Sequence, residues 1–186
     1  MNIDQAIRER RSVKKFTDRP VQRETIESLL EAVTLAPNHH LTQPWRFYVL
    51  GPEARYAYGF VLGARKAKKL EDPAAKERMQ MTVADEHRAL PCMIAVAMKL
   101  DENAEKREED YASIMMGIEN LSLTAAANGL GTAMKTGAVM ADPGARAAAG
   151  VREDERIIAI VNIGYPAEVP PPKTRAPATS FTTWLP

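Results

Sequence analysis

Two near-continuous apolar runs, Cys92-Met93-Ile94-Ala95-Val96-Ala97-Met98 and Ile157 to Ile163, set the tightest limit on what this chain can fold into. Successive side chains of a strand point to opposite faces, so a strand with one wet face alternates apolar and polar residues. A run that is apolar at almost every position is buried on both faces. The chain therefore holds a small sheet with helices packed around it.

The helices follow from spacing. Ile3, Ala6 and Ile7 give a short amphipathic helix that ends at an arginine cluster. In Val21 to Leu35, Ile26, Leu29, Leu30 and Val33 form one stripe, and Ala36-Pro37 stops it, because the residue before proline resists helical dihedrals. Residues 53–88 are charged and alanine-rich and predict two or three helices, one starting at Asp72-Pro73. Residues 105–128 predict the longest helix. Its stripe is Ile114, Met115, Ile118, Leu121, Ala125 and Ala126, with Met116, Leu123 and Ala127 on the far side. A helix apolar on two sides is buried on two sides, and in a chain this small a dimer interface is the natural second surface. Gly129-Leu130-Gly131 suits a helix C-cap and turn. Asp142-Pro143 starts a brief helix that runs to Gly150.

Two further strands are expected at Arg46 to Leu50 and Thr132 to Lys135. Five prolines between Pro166 and Pro177 make the tail extended. The sum is an α+β or α/β single domain over residues 1–186.

Composition excludes several classes. The formal net charge is +1, without the basic excess of a nucleic-acid reader. No apolar stretch is long enough for a membrane helix, and the first residues lack a signal-peptide pattern. The one cysteine, Cys92, sits in an apolar run as a buried, unreactive thiol, and no disulfide is possible within the chain. A cytoplasmic protein is expected.

Against that balanced background, local cations stand out. In Arg10-Arg11-Ser12-Val13-Lys14-Lys15-Phe16, residues Arg10, Ser12 and Lys14 occupy alternate positions, so an extended backbone projects them together. Lys173 and Arg175 repeat the spacing near the other end. A basic run is ordinarily a solvated face. Four cations and a hydroxyl converging from both termini would instead cradle a phosphate dianion.

No nucleophile–base set is visible: there is no Gly-x-Ser-x-Gly elbow, and Cys92 has no histidine nearby. His39 and His40 are adjacent and expected to point apart, so no metal site is expected. Glu108-Glu109-Asp110 suits a solvated helix face. Gly129-Leu130-Gly131 follows a helix, where a dinucleotide fingerprint would follow a strand. Any hard chemistry then belongs to a bound organic cofactor with a phosphate anchor.

Together "RERRSVKKF", "APNHHLTQPWRFYVL", "NGLGTAMKTGA", "IVNIGYP" and "PPKTRAP", in this order from end to end, resemble the nitroreductase family of FMN-dependent NAD(P)H oxidoreductases, in its compact branch. The resemblance implies an α+β fold with a central, mostly antiparallel small sheet flanked by helices. It also implies an intertwined homodimer with an extended C-terminal tail and FMN at the subunit interface. Arg10, Arg11, Ser12 and Lys14 match the segment that holds the FMN phosphate and ribityl chain. Lys173 and Arg175 match C-terminal cations on the phosphate, and Pro37, Asn38, His39 and Leu41 match a loop given by the partner subunit. Met134, Lys135, Thr136 and Gly137 match the turn along the isoalloxazine; Thr136 stands where many relatives carry an acidic residue. The implied activity is ping-pong hydride transfer from NAD(P)H through flavin N5 to nitroaromatics, quinones or similar acceptors, with Arg10 and Lys14 in electrostatic support. The alternative is a flavin carrier or a redox-sensing dimeric module without turnover.

Overall fold

A computed structural model describes all 186 residues. Six helices surround one sheet: α1 (Ile3–Glu9), α2 (Arg23–Thr34), α3 (Pro52–Lys66), α4 (Pro73–Arg88), α5 (Ala104–Ala127) and α6 (Pro143–Ala148). The strands are β1 (Trp45–Val49), β2 (Cys92–Lys99), β3 (Gly131–Lys135) and β4 (Glu155–Gly164), in the order β1-β2-β4-β3, with all three pairings antiparallel. The architecture is α+β. No helix is long and apolar enough to cross a membrane.

The two apolar runs are the central strands β2 and β4, covered on both sides. On one face Ile94, Val96, Val161 and Ile163 join Leu29 and Val33 of α2 and Ile114, Ile118 and Leu121 of α5. On the other, Met93, Ala95, Ile157 and Ile160 join Tyr58 of α3 and Ala145 of α6. Each fully buried aliphatic side chain contributes about 1.5–3 kcal/mol relative to exposure. Both Asp-Pro pairs start helices: the side chains of Asp72 and Asp142 accept from backbone N–H groups of the first turn, while Pro73 and Pro143 take positions that need no N–H. Cys92 is buried, and its thiol is pushed up to about 11 by desolvation.

Three details depart from the expectations. The C-cap role falls to Gly129 alone, at φ +73°. Gly131 serves a different end: a Cβ there would meet Val13 Cγ2 at 2.6 Å. The third concerns Glu108-Glu109-Asp110. Asp110 is not solvated but 3% exposed, because the loop after α2 docks onto it. Met116, on the far side of α5, stays exposed in the single chain.

The N-terminal segment is laid against edge strand β3. Ser12 bridges Thr132 in parallel, and the Val13 N–H donates to Thr132 O at 2.9 Å. Val13 is buried, so its neighbours Ser12 and Lys14 face outward. Further on, Phe16 bridges Pro166, and the Ala167 N–H donates to Lys15 O at 3.0 Å. These contacts bind the start of the tail to the start of the chain.

Candidate active site

That pairing of termini creates a cavity of about 890 Å³, lined by Arg10, Arg11, Ser12, Lys14, Lys173 and Arg175 among others. The alternation at residues 10, 12 and 14 thus gathers both cationic clusters on one space. Two of these side chains carry other bonds. Arg10 Nε donates to Glu119 Oε1 at 2.9 Å, which takes one of the five guanidinium N–H donors. Arg11 Nη1 donates to the carbonyls of Arg8 and Arg10 at the end of α1 and so closes that helix. Lys15, one residue beyond Lys14, pairs with Glu168 at 2.7 Å.

A second cavity of about 1000 Å³ adjoins the first; Lys14 and Lys15 line both. Lys135 and Thr136 enter it from the end of β3. Met134 and Gly137 do not line it, and Met134 is 45% exposed. Tyr58, Leu62 and Lys66 of α3 and His87 of α4 supply one wall, with Val139 and Met140 opposite the sheet residues Ile160 and Asn162. Burial raises the Tyr58 phenol to about 12. Burial also lowers His87 from its ordinary value, against a bond to the Val83 carbonyl that raises it. His87 Nδ1 lies 2.7 Å from Val83 O; a carbonyl only accepts, so Nδ1 carries the proton and Nε2 keeps a lone pair. Thr17 and Asn162 also line this cavity; their side-chain oxygens are closed off from it and have no hydrogen-bond partner.

Residues 37–43 line neither cavity of their own chain. Asn38 is turned inward: Nδ2 donates to Thr42 Oγ1 (3.0 Å), Ser113 Oγ (3.3 Å) and Asp110 Oδ1 (3.4 Å), and Oδ1 accepts from the Gln43 N–H at 2.9 Å. The Thr42 hydroxyl donates to Asp110 as well. A buried carboxylate on α5 therefore clamps the loop, which holds Leu41 and Gln43 at φ of 50° and 46°, left-handed values uncommon outside glycine. Pro37 and Leu41 are exposed on the outside of the clamp.

The adjacent histidines do not point apart. Their rings stack at 4.1 Å, His39 Nδ1 donates to Glu109 Oε1 at 3.0 Å, and His40 Nε2 lies 3.3 Å from Oε2. The bond from His39 holds the Glu109 carboxyl below its usual range. The three ligand atoms lie within 4.8 Å of one another, and the hydrogen bond from His39 to Glu109 with the stacked rings accounts for the cluster.

Sequence reasoning missed Tyr58, Leu62, Lys66 and His87, because residues 53–88 carry no motif. It also passed over Asn162, although a lone amide within an apolar strand is a visible signal.

The model of the Nitroreductase family matches residues 7–165. YfhC of Bacillus subtilis strain 168, which bears the name of an NAD(P)H nitroreductase, is 35% identical over 92% of this chain and 88% of its own. A nitroreductase-like family protein from Bacillus cereus superposes with a TM-score of 0.86 at 30% identity, over 100% of this chain and 96% of its own. The FMN and NADPH-dependent nitroreductase NfnB from sphigopyxis sp. strain HMH shares the fold, with a TM-score of 0.79 at 19% identity over the whole of both chains.

Proposed function

The chain belongs to the nitroreductase family, and from that premise we propose that it is an FMN-dependent NAD(P)H oxidoreductase. It reduces nitroaromatics, quinones or similar acceptors and works as a homodimer. The observation that carries this is the convergence of Arg10, Lys14, Lys173 and Arg175 on one cavity that opens beside a second, walled on one side by Tyr58 and Leu62. Both volumes lie at the upper end of ordinary ligand pockets.

The residues fit FMN in kind. The first cavity offers charge-assisted bonds of about 1.5–3 kcal/mol each to a phosphate. Three of them, with a buried ring, reach micromolar affinity, roughly −8 kcal/mol. The second offers an apolar wall from Tyr58, Leu62, Val139 and Met140. FMN, when bound, supplies the ring that takes an electron pair from NAD(P)H and returns it to the acceptor. The chain supplies the rest. Lys14 and Lys135 would hold positive charge against the reduced ring, and the apolar wall would keep water from the face packed on it. If donor and acceptor use the same open face in turn, no separate dinucleotide fingerprint is needed.

A second copy of the chain suits the apolar groups left in water. Leu35 precedes the clamped loop and Leu41 lies within it, Met116 lies on α5, and Phe181, Trp184 and Leu185 end the tail, all exposed. In such a dimer the loop with Pro37, His39 and Leu41 reaches the partner's cavity, and Asn38 acts from within by holding the loop's shape.

The test is the absorption spectrum of the purified protein, followed by NAD(P)H oxidation with a quinone and a nitroaromatic acceptor. A yellow protein that turns over both is expected. A colourless protein that takes up no FMN would refute the reading, and FMN uptake without NAD(P)H oxidation would turn it toward a flavin carrier or redox sensor.

A further inference from the structure

We propose that His39, His40 and Glu109 form a binding site for a borderline divalent metal ion, with Zn2+ as its model. The site stands apart from the FMN reading above, because none of the three residues lines either cavity.

One ligand atom from each residue lies within 4.8 Å of the other two. His39 Nδ1 is 3.0 Å from Glu109 Oε1, and His40 Nε2 is 3.3 Å from Oε2. Donor atoms around a tetrahedral ion with bonds of about 2.0–2.2 Å stand roughly 3.3–3.5 Å apart. Both contacts to the carboxylate are already near that spacing, and a small turn of an exposed ring closes the gap between the nitrogens. The carboxylate also has an unmet need. Its Oε2 is closed off from solvent and has no hydrogen-bond partner, since the His40 nitrogen approaches it without donating. An ion shared with that nitrogen would satisfy the oxygen.

The fold holds these groups in place. Glu109 immediately precedes Asp110 on α5, and Asp110 accepts from Asn38 and Thr42, which flank the two histidines in the loop. One turn of helix therefore fixes the loop from within and offers the third ligand from without. Ligands held by such a scaffold need little further ordering to meet an ion. In the homodimer proposed above, the ion would tie the loop to α5 where it reaches the partner's cavity.

The donor set selects the ion. Two imidazoles and one carboxylate suit Zn2+, Ni2+ or Cu2+, whereas Mg2+ and Ca2+ call for oxygen ligands. Binding releases one proton to solvent, because His39 Nδ1 must give up the hydrogen it donates to Glu109.

The test titrates ZnCl2 into the chelator-treated protein by calorimetry, with MgCl2 alongside, and follows the imidazole signals by NMR. The chain has three histidines, so substitution assigns each signal. Binding of one Zn2+ per chain is expected, with a dissociation constant of about 10 µM or tighter. His39 and His40 should shift and His87 should not. His40→Gln and Glu109→Gln should each weaken Zn2+ binding by more than about tenfold. If Glu109→Gln fails to fold, His40→Gln, which changes an exposed ring, decides alone. Unchanged affinity in His40→Gln, a shift confined to His87, equal binding of Mg2+, or no Zn2+ uptake at about 1 mM would each overturn the proposal. The titration needs no flavin, so a chain that takes up Zn2+ but not FMN would refute the FMN reading and leave this one standing.

Discussion

A methyl group at position 131 would test how the cationic segment is held. A Cβ on Gly131 would lie 2.6 Å from Val13 Cγ2, 2.8 Å from Val13 Cβ and 3.1 Å from Cγ1. The strand cannot yield easily, because Gly131 pairs with Gly164 at the start of the β3–β4 ladder. Val13 cannot yield easily either: it is 3% exposed and its N–H is bonded to Thr132 O. Overpacking of this kind costs about 1–3 kcal/mol, and each kcal/mol moves the midpoint by about 2–4 °C in a chain of this size. The strain falls on the backbone that aims Arg10, Ser12 and Lys14. Misplacing one charge-assisted bond of about 1.5–3 kcal/mol weakens FMN binding by about tenfold or more. Gly131→Ala should therefore lose both stability in urea denaturation and flavin affinity in fluorescence titration. Val13→Ala removes two of the three close atoms, so the double variant should be more stable than the sum of the single losses by about 1 kcal/mol. Wild-type behaviour in Gly131→Ala, or additivity within about 0.5 kcal/mol, would refute this account of the segment.

Three other perturbations address separate parts of the site. Asp110→Ala strands Asn38 and Thr42 and should cost about 1–3 kcal/mol; limited proteolysis should then cut within residues 38–43, and an uncut loop would show that the clamp holds without its carboxylate. Arg10→Ala and Arg175→Ala should each weaken FMN binding, and their effects should not add if both touch one phosphate; strict additivity in titrations would separate the two cations. His87 gives a pH signature. Its folded pKa lies below the ordinary 6.5, chiefly through burial, with Lys66 and Lys135 adding repulsion and Glu86 opposing. As pH falls through 6.5 the unfolded chain takes up a proton that the folded chain resists, so stability drops. Denaturation midpoints of His87→Gln, compared with wild type on either side of that pH, should lack this share of the drop, and parallel curves would rule His87 out as its source.

Features of this chain differ in legibility according to how far away their cause lies. Strands β2 and β4 were readable because burial on both faces writes itself into every position of a short run. The Asp-Pro helix starts were readable because cap and helix are neighbours in sequence. The alternation of Arg10, Ser12 and Lys14 needed only an extended backbone, which the bond from Val13 to Thr132 supplies, and the same side chains keep their charge whether or not a partner is near. Asp110 was misread because nothing local distinguishes it from Glu108 and Glu109. Its burial is decided by a loop some seventy residues earlier, in which Asn38 and Thr42 happen to face it. His39 and His40 were misread for the same reason, since Glu109 sets their rings side by side. Gly131 has two locally sensible explanations, a turn and a close approach, and only the position of Val13 selects between them. Asn162 is the instructive middle case. An amide in an apolar strand is visible, and burying it unpaired is costly enough, about 1–3 kcal/mol, to demand a reason. The sheet order and the α3–α4 wall are needed to show that the residue lies on a cavity and not merely in the core. Charge at the two termini can thus be found one residue at a time, whereas polar residues that border a cavity inside the fold become readable only after topology has placed that volume beside them.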